Sequence, residues 1–343
     1  MPSPEKPPYT ITPAILSLVA EIARGLGRRE ALDGRGNIPV LRRANRIRNI
    51  HASLAIENNT LTLDQVTAVL AGKRVLGPPD EIQEVRNAFA TYEAMSGWSP
   101  TSIKDLLSAH KIMLRGLADD AGRFRFGGVG IAQGSRVVHL APPAGRVPNL
   151  IKNLFAWLRR TDAHPLVASS VFHYELELIH PFSDGNGRLG RFWQTLILSR
   201  WNPLLAWLPV ESVIHDRQTD YYQVLAACDK AGNSTQFIEF LLRVLLQSLG
   251  ESVGTDPVTD PVTDPVSAQV LALLGLLLRK GPLAASGAMT GLKLLHRPTF
   301  RANYLRPGIA AGLVEPTLPD KPNSRLQKYR LTDAGRRAAP RES

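Results

Sequence analysis

The sequence predicts a mainly α-helical protein with one short β-hairpin and a second, smaller module of helices and a two-stranded ribbon at its C-terminal end. Three observations carry this expectation. Apolar residues recur at helical spacing through most of residues 12–250. A single stretch rich in Gly and Val, 127–140, breaks that pattern. A threefold Thr-Asp-Pro-Val repeat at 255–266 then separates the helical part from the C-terminal segment.

The elements come in order. Pro13–Gly25 carries Ile15, Leu16, Leu18, Val19, Ile22 and Ala23 as a stripe, and Leu41–Glu57 places Leu41, Ala44, Ile47, Ile50 and Leu54 on one side. The same spacing predicts helices over 63–70, 81–95, 103–117, 147–160, 165–180, 187–200, 221–230 and 235–249. Pro165 suits the first turn of its helix, where no N–H is needed. Residues 127–140 read as a hairpin, with Gly134-Ser135 between Val129/Ile131 and Val137/Val138. The glycine spacing there fits no dinucleotide fingerprint, and no Walker A motif occurs in the chain. A proline every fourth residue, each preceded by Asp, cannot be a helix interior, so 251–266 reads as an extended linker. At about 3.1 Å per residue the twelve-residue repeat would span roughly 37 Å. Beyond it, helices are expected over 267–280, 284–295 and 298–306, with Pro307 interrupting the last. Two strands around a polar turn at 319–324 come after them, which is a winged helix-turn-helix pattern.

Composition narrows the function classes. Hydrophobic residues make up 44% and charged residues 21%, as in ordinary globular proteins. The one cysteine, Cys228, excludes a disulfide scaffold and any zinc site needing two thiolates. The longest apolar run, Val270–Leu278, is too short for a membrane span, and no apolar signal segment opens the chain, so a cytoplasmic protein without a membrane partner is expected. The net charge is +11, and residues 267–343 hold 13 Lys+Arg against 4 Asp+Glu. The basicity therefore belongs to the C-terminal segment, where it suits a polyanion or simply a solvated face.

The stretch that carries chemistry is His180-Pro-Phe-Ser-Asp-Gly-Asn-Gly-Arg-Leu-Gly-Arg191. One helix ends at His180 before a proline, and another begins near Asn186. The glycines between them let backbone N–H groups converge at a helix N-terminus, which is an anion site. Arg188 and Arg191 lie three apart and share a face. Cations at a helix N-terminus oppose the macrodipole, so helix stability alone would not select them, whereas a polyphosphate would. Asp184 is placed to hold a Mg²⁺ that bridges phosphates, and His180 suits proton transfer near neutral pH. Each residue alone reads as a turn with surface arginines, but their combination in twelve residues reads as a site.

This run resembles the motif of Fic-domain proteins, His-x-Phe-x-Asp/Glu-Gly-Asn-Gly-Arg-x-x-Arg, at every specified position, and the resemblance extends over roughly residues 10–250. It implies a Fic helical bundle that transfers AMP from ATP to a Ser, Thr or Tyr hydroxyl of a target protein, with Mg²⁺ as cofactor. His180 would be the general base, Asp184 the metal ligand, and Gly185, Asn186 and Gly187 the anion hole. Arg188 and Arg191 would neutralise the outer phosphates, and Phe182 would be core. Ser53-Leu-Ala-Ile-Glu-Asn58 resembles the family's inhibitory motif, in which Glu57 would pair with Arg191 and, with Ser53 and Asn58, block productive ATP binding. The hairpin resembles the family flap, with Val129 and Ile131 touching nucleotide or target; an ordinary packed hairpin is the alternative. Tyr221 and Tyr222 lie where the family places tyrosines near the adenine, although adjacent helical residues cannot face the same way. Asp229 stands where many relatives have Asn, and His173 reads as a core histidine.

The implied organisation is an N-terminal helical region with the inhibitory helix (1–100), a catalytic core (101–250), the linker (251–266) and a winged helix-turn-helix domain (267–343). Arg297, Arg301, Arg306 and Lys328 are the candidates for DNA contact there. Dimerisation or protein docking is the alternative role, and a homodimer is compatible with it. Two rival functions remain: a Fic enzyme transferring another phosphate-containing group, and a DNA-binding regulator whose core senses ATP.

Overall fold

A computed structural model of the chain describes residues 6–33, 38–128, 130–133, 136–254, 268–292, 294, 300–317 and 327–339. The protein is mainly α, and it forms two compact units, Met1–Asp256 and Pro257–Ser343. No helix among the described residues is long and apolar enough to cross a membrane.

In the first unit, α1 (Pro13–Asp33) and α2 (Ile38–Ile56) precede α3 (Leu63–Leu70), whose start is closed by a capping box between Thr62 and Gln65. α4 (Pro79–Ala94) begins on Pro79, and α5 (Ile103–Met113) begins at Ser102, whose hydroxyl accepts from the Asp105 N–H. The hairpin comes next. β1 (Gly130–Gln133) pairs antiparallel with β2 (Arg136–Leu140), with a register shift between Ile131 and Ala132. Its expected Gly134-Ser135 turn lies outside the described residues. Then come α6 (Val147–Arg160), α7 (Pro165–Ile179), α8 (Asn186–Trp201), α9 (Val210–Asp216), α10 (Gln218–Ala231) and α11 (Thr235–Gly254).

α7 and α8 form the centre. α7 buries Leu166–Tyr174, Leu176 and Ile179, and a helix apolar on every side belongs inside a bundle. α8 lies along it and buries Leu189, Phe192, Trp193 and Leu196. α6 and α11 pack on α7, α5 and α2 pack on α8, and α1 lies against α11. α2 is also held by side chains: Asn45 and Asn49 donate to the carbonyls of Trp207 (3.0 Å) and Leu208 (2.7 Å), and Gln218 donates to the Ile56 carbonyl (2.9 Å). The apolar pattern does not announce α9 or the 3₁₀ turn Pro203–Trp207, since the apolar run between Pro203 and Pro209 has no helical period.

The second unit contains α12 (Ala268–Lys280), α13 (Ala285–Gly291), a π-helical turn Arg301–Leu305 and α14 (Arg306–Ala310). An antiparallel pair, β3 (Val314–Pro316) and β4 (Tyr329–Leu331), and α15 (Asp333–Ala338) complete it. Val270, Leu273, Leu274, Leu277, Phe300, Leu305, Val314 and Leu331 form its separate core. Pro307 does not interrupt the helical backbone as expected. It sits in the first turn of α14, where proline is tolerated.

Candidate active site

The site is built around the loop joining α7 to α8. α7 stops because Pro181 cannot extend it. His180 closes the helix in the left-handed region (φ 48°, ψ 62°), and its N–H donates to the Leu176 carbonyl at 2.9 Å. The loop is then tied from inside. The Asn186 side chain accepts the Phe182 N–H (3.0 Å) and donates to the Phe182 carbonyl (2.9 Å). Phe182 is fully buried and stacks on His110, with ring centroids 3.8 Å apart. His110 in turn fixes the loop: its Nδ1 accepts the Gly122 N–H at 2.8 Å, so Nε2 carries the proton and donates to the Asp184 carbonyl at 3.0 Å. Burial lowers the His110 pKa and so favours this neutral form.

Gly185 has φ 81°, and a Cβ there would lie 2.6 Å from Leu114 Cδ2. This residue lets the loop turn into α8, whose first N–H groups lack intrahelical acceptors. Gly187 lies in that first turn, and a side chain on it would collide with the Glu57 carboxylate.

The two arginines in the first turns of α8 are buried with their charges. Arg188 donates to Glu84 (2.7 Å) and Asp184 (2.9 Å), while its Nε is buried with no partner among the described residues. Arg191 donates from Nε to the Ser53 hydroxyl (3.1 Å) and from Nη2 to the Ser53 carbonyl (3.0 Å) and to Glu57 Oε1 (2.8 Å). Burial works against the Arg191 charge, but Glu57, Tyr221 and Glu177 outweigh it and the pKa is raised. The carboxyl of Glu177, one turn before His180, is pushed up to about 7, first by burial; Arg191 pulls it down and Glu57 pushes it up.

Glu57 comes directly after the last residue of α2, and its N–H donates to the Leu54 carbonyl (2.9 Å). Asn58 takes φ 69°, a left-handed conformation that Asn accepts at a helix end. It touches none of the arginines' donors in this arrangement; its part is to stop α2 beside Arg191.

The Asp184 side chain is 64% exposed, and its two oxygens accept the Gly185 N–H (2.6 Å) and Arg188. Each oxygen keeps lone-pair capacity toward the outside. No group of three or more His, Cys, Asp or Glu able to hold a metal occurs among the described residues. A Mg²⁺ held by one hard carboxylate and by phosphate oxygens of a substrate fits this arrangement, because Mg²⁺ needs few protein ligands.

Of the paired tyrosines, Tyr221 is core: it is 1% exposed and its hydroxyl lies 3.1 Å from His173 Nε2. Tyr222 is 40% exposed and is the one able to meet a ligand. His173 is a buried core histidine whose Nδ1 pairs with Gln194 Oε1 at 2.8 Å. Asp229 accepts from the Tyr174 hydroxyl at 2.9 Å. Ile131 lies on β1, and β2 packs on α10; Val129 lies outside the described residues. In the second unit Arg301, Arg306 and Lys328 are exposed, whereas Arg297 lies outside the described residues. Sequence reasoning missed four residues of the site: Arg125, His110, Glu84 and Glu177. Each reaches the loop or its arginines only through tertiary packing, and only Glu177 stands near the motif in sequence.

The Fic/DOC family profile matches residues 100–198, and a second profile, the C-terminal domain of the Fic-like proteins ("Filamentation induced by cAMP protein Fic-like"), matches residues 268–332. The chain is similar to Protein adenylyltransferase Fic of Nematostella vectensis, 30% identical over 223 residues, covering 61% of this chain and 49% of that protein. It is also similar to Protein adenylyltransferase fic-1 of Caenorhabditis elegans, 30% identical over 210 residues, covering 57% and 38%. The chain thus spans half or less of the length of these curated relatives. Among solved structures, a Fic family protein from Desulfovibrio desulfuricans G20 is 57% identical with a TM-score of 0.73, covering 96% of this chain and 99% of that one. That identity over nearly the whole length of both chains, with the motif seated at the start of α8, makes this protein a member of the Fic/DOC family.

Proposed function

We propose that the protein is a self-inhibited protein adenylyltransferase, which transfers AMP from ATP to a Ser, Thr or Tyr hydroxyl of a target protein and releases pyrophosphate. One observation carries the reading. Two buried arginines, the orphan N–H groups of α8 and the Asp184 carboxylate meet at one helix end, with His180 in the turn before it, and the Glu57 carboxylate lies on that end. The names of the relatives, at about 30% identity, support the same reaction.

In this reading the His180 imidazole takes the proton of the target hydroxyl. The alkoxide oxygen attacks the α-phosphorus, the bond to the β-phosphate oxygen breaks, and pyrophosphate leaves with two charges offset by Arg188 and Arg191. The N–H groups of the first turn of α8 face the phosphates, so positioning and charge neutralisation do most of the work. Asp184 would hold Mg²⁺, which supplies further neutralisation on the phosphate oxygens when bound. Glu57 would keep Arg191 from the outermost phosphate until a partner or ligand moves α2.

The test is incubation with α-labelled ATP and Mg²⁺. The wild type labels weakly, Glu57→Gly labels strongly, and Glu57→Gly/His180→Ala loses about 10²–10⁴ of that rate. Equal labelling of the last two proteins overturns the assignment of His180 as base.

For the second unit, the order of helices and ribbon and the exposed Arg301, Arg306 and Lys328 support a winged helix that contacts DNA phosphates. A gel shift with arbitrary duplex DNA that weakens steeply with salt is the expected result.

A further inference from the structure

Arg125 takes no part in the family motif, yet it is bound both to the turn that carries His180 and to the two ends of the hairpin. It is 4% exposed, and the acceptors it meets are four main-chain carbonyls. Nε donates to the His180 carbonyl (2.6 Å) and Nη2 to that of Ile179 (3.4 Å), at the C-terminus of α7. Nη1 donates to the Gly127 carbonyl (2.8 Å) and Nη2 to the Pro142 carbonyl (2.5 Å), which flank the two ends of the hairpin. Its own backbone N–H donates to the Pro181 carbonyl (3.0 Å).

Burying a guanidinium against carbonyls alone is costly, and a merely structural contact would not select it. The position explains the choice. The last carbonyls of α7 have no intrahelical partner, and they form the negative end of the helix dipole, where a cation is favoured. The residue at that end is His180, which is left-handed and precedes a proline, a combination that sterics disfavour twice. Arg125 holds the carbonyl on each side of the His180–Pro181 bond. A fork with five donors can do this while also grasping both ends of the hairpin, and an ammonium cannot.

We propose that Arg125 is a positioning residue that fixes the strained backbone of His180 and registers the hairpin against it. It does not touch the reacting atoms; it sets where the base and the strand beside it stand relative to the phosphate site. This rests on the reaction proposed above.

The experiment uses the full chain in the Glu57→Gly background, with Arg125→Ala and Arg125→Lys added singly. The expected result is a fall in kcat of about 10²-fold for Arg125→Ala, as a misplacement near 1 Å produces. Arg125→Lys recovers a tenth or less of the lost rate. The Kd for ATP with Mg²⁺, measured by calorimetry, stays within threefold, because Arg188, Arg191 and α8 are untouched. Amide exchange in peptides covering 127–142 and 178–184 speeds up, while exchange in α11 is unchanged. A rate within threefold of Glu57→Gly overturns the proposal. So does a loss of ATP binding equal to the loss of rate, or faster exchange throughout the unit, either of which marks a general structural role. If Arg125→Ala does not fold, Arg125→Lys is judged by the same thresholds. If Glu57→Gly itself transfers no label, the reaction reading fails. The brace is then decided by amide exchange alone, with unchanged exchange at 178–184 counting against it.

Discussion

The contact between Glu57 and Arg191 makes a quantitative prediction about release. The Arg191 side chain is 1% exposed and meets three acceptors, the hydroxyl and carbonyl of Ser53 and the Glu57 carboxylate, all from the end of α2. Removing one member of a buried pair typically costs about 3–5 kcal/mol. The Glu57 side chain is 32% exposed, which places it at the lower end, about 3 kcal/mol. A triphosphate that must displace Glu57 from Arg191 pays that amount before it gains the new contact. At 1.4 kcal/mol per decade, Glu57→Gly therefore raises AMP incorporation at subsaturating ATP by about 10²-fold. Glu57→Gln keeps an acceptor but loses the charge that roughly doubles such a bond, so its rate rises by about tenfold. The assay is the initial rate of label incorporation across an ATP titration, with circular dichroism melting alongside. Without ATP, Glu57→Gly melts several degrees lower than wild type, since Arg191 is left buried without its carboxylate, and ATP with Mg²⁺ restores part of the difference. If wild type, Glu57→Gln and Glu57→Gly incorporate label equally at every ATP concentration, the displacement argument is refuted.

The geometry sets three further outcomes. Gly185→Ala places a Cβ 2.6 Å from Leu114 Cδ2 at a backbone with φ 81°, so it destabilises the unit by about 1–3 kcal/mol and, in the Glu57→Gly background, abolishes most labelling; urea unfolding and the label assay check the two effects. Asn58→Val forces a β-branched residue to φ 69° and costs about 1–2 kcal/mol in urea unfolding, whereas Asn58→Gly is neutral or slightly stabilising. Glu177, pushed up to about 7 in the folded protein, ionises near 4.5 when unfolded. The unfolded chain thus gives up its proton first, and folding stability falls as pH rises from about 4.5 to 7 and then levels. Glu177→Gln removes this fall, so its melting temperature gains on that of the wild type across that window and not below it; parallel melting curves at every pH would show that Glu177 does not carry the effect.

The helices were legible because their apolar stripes are long and their starts are marked: α3 by Thr62 and Gln65, α5 by Ser102, α7 by Pro165. The stretch from His180 to Arg191 was legible because it gathers much of the candidate site into twelve neighbouring residues. Of the groups that reach that site across the fold, Ser53 and Glu57 were read only through the family resemblance, and Arg125, His110 and Glu84 were not read at all. Arg125 and His110 stand 55 and 74 residues from the loop atoms they hold, and no spacing links them to it. His110 in particular looks in sequence like any helical histidine, and only its stacking on Phe182 and its bond to the Asp184 carbonyl give it a task. Pro307 failed as a helix stop for a related reason: proline ends a helix only when it falls inside one, and here a π turn places it at the beginning of the next.

The charges at α8 explain how one arrangement can be stable both closed and, in the proposed reaction, loaded. Arg188 and Arg191 near the N-terminus of α8 work against the helix dipole, and both are buried. Such cations demand compensation in every state of the protein. In the present state acids from three different places supply it: Asp184 in the loop, Glu84 on α4, and Glu57 at the end of α2. A triphosphate offers the same kind of partner, negative oxygens with the geometry that guanidinium forks prefer. Binding is then an exchange of anions at fixed cations rather than the neutralisation of bare charge. In the proposed function the Glu57 carboxylate and the outermost phosphate then compete for the same guanidinium. The acids differ in how easily they can leave. Asp184 and Glu84 belong to the loop and to the interior of α4, while Glu57 sits one residue past the end of α2, beside a left-handed Asn58. In the proposed function, control through Glu57 would therefore require the fewest other contacts to break, a physical reason for an inhibitory carboxylate to stand at a helix end and not in the middle of one.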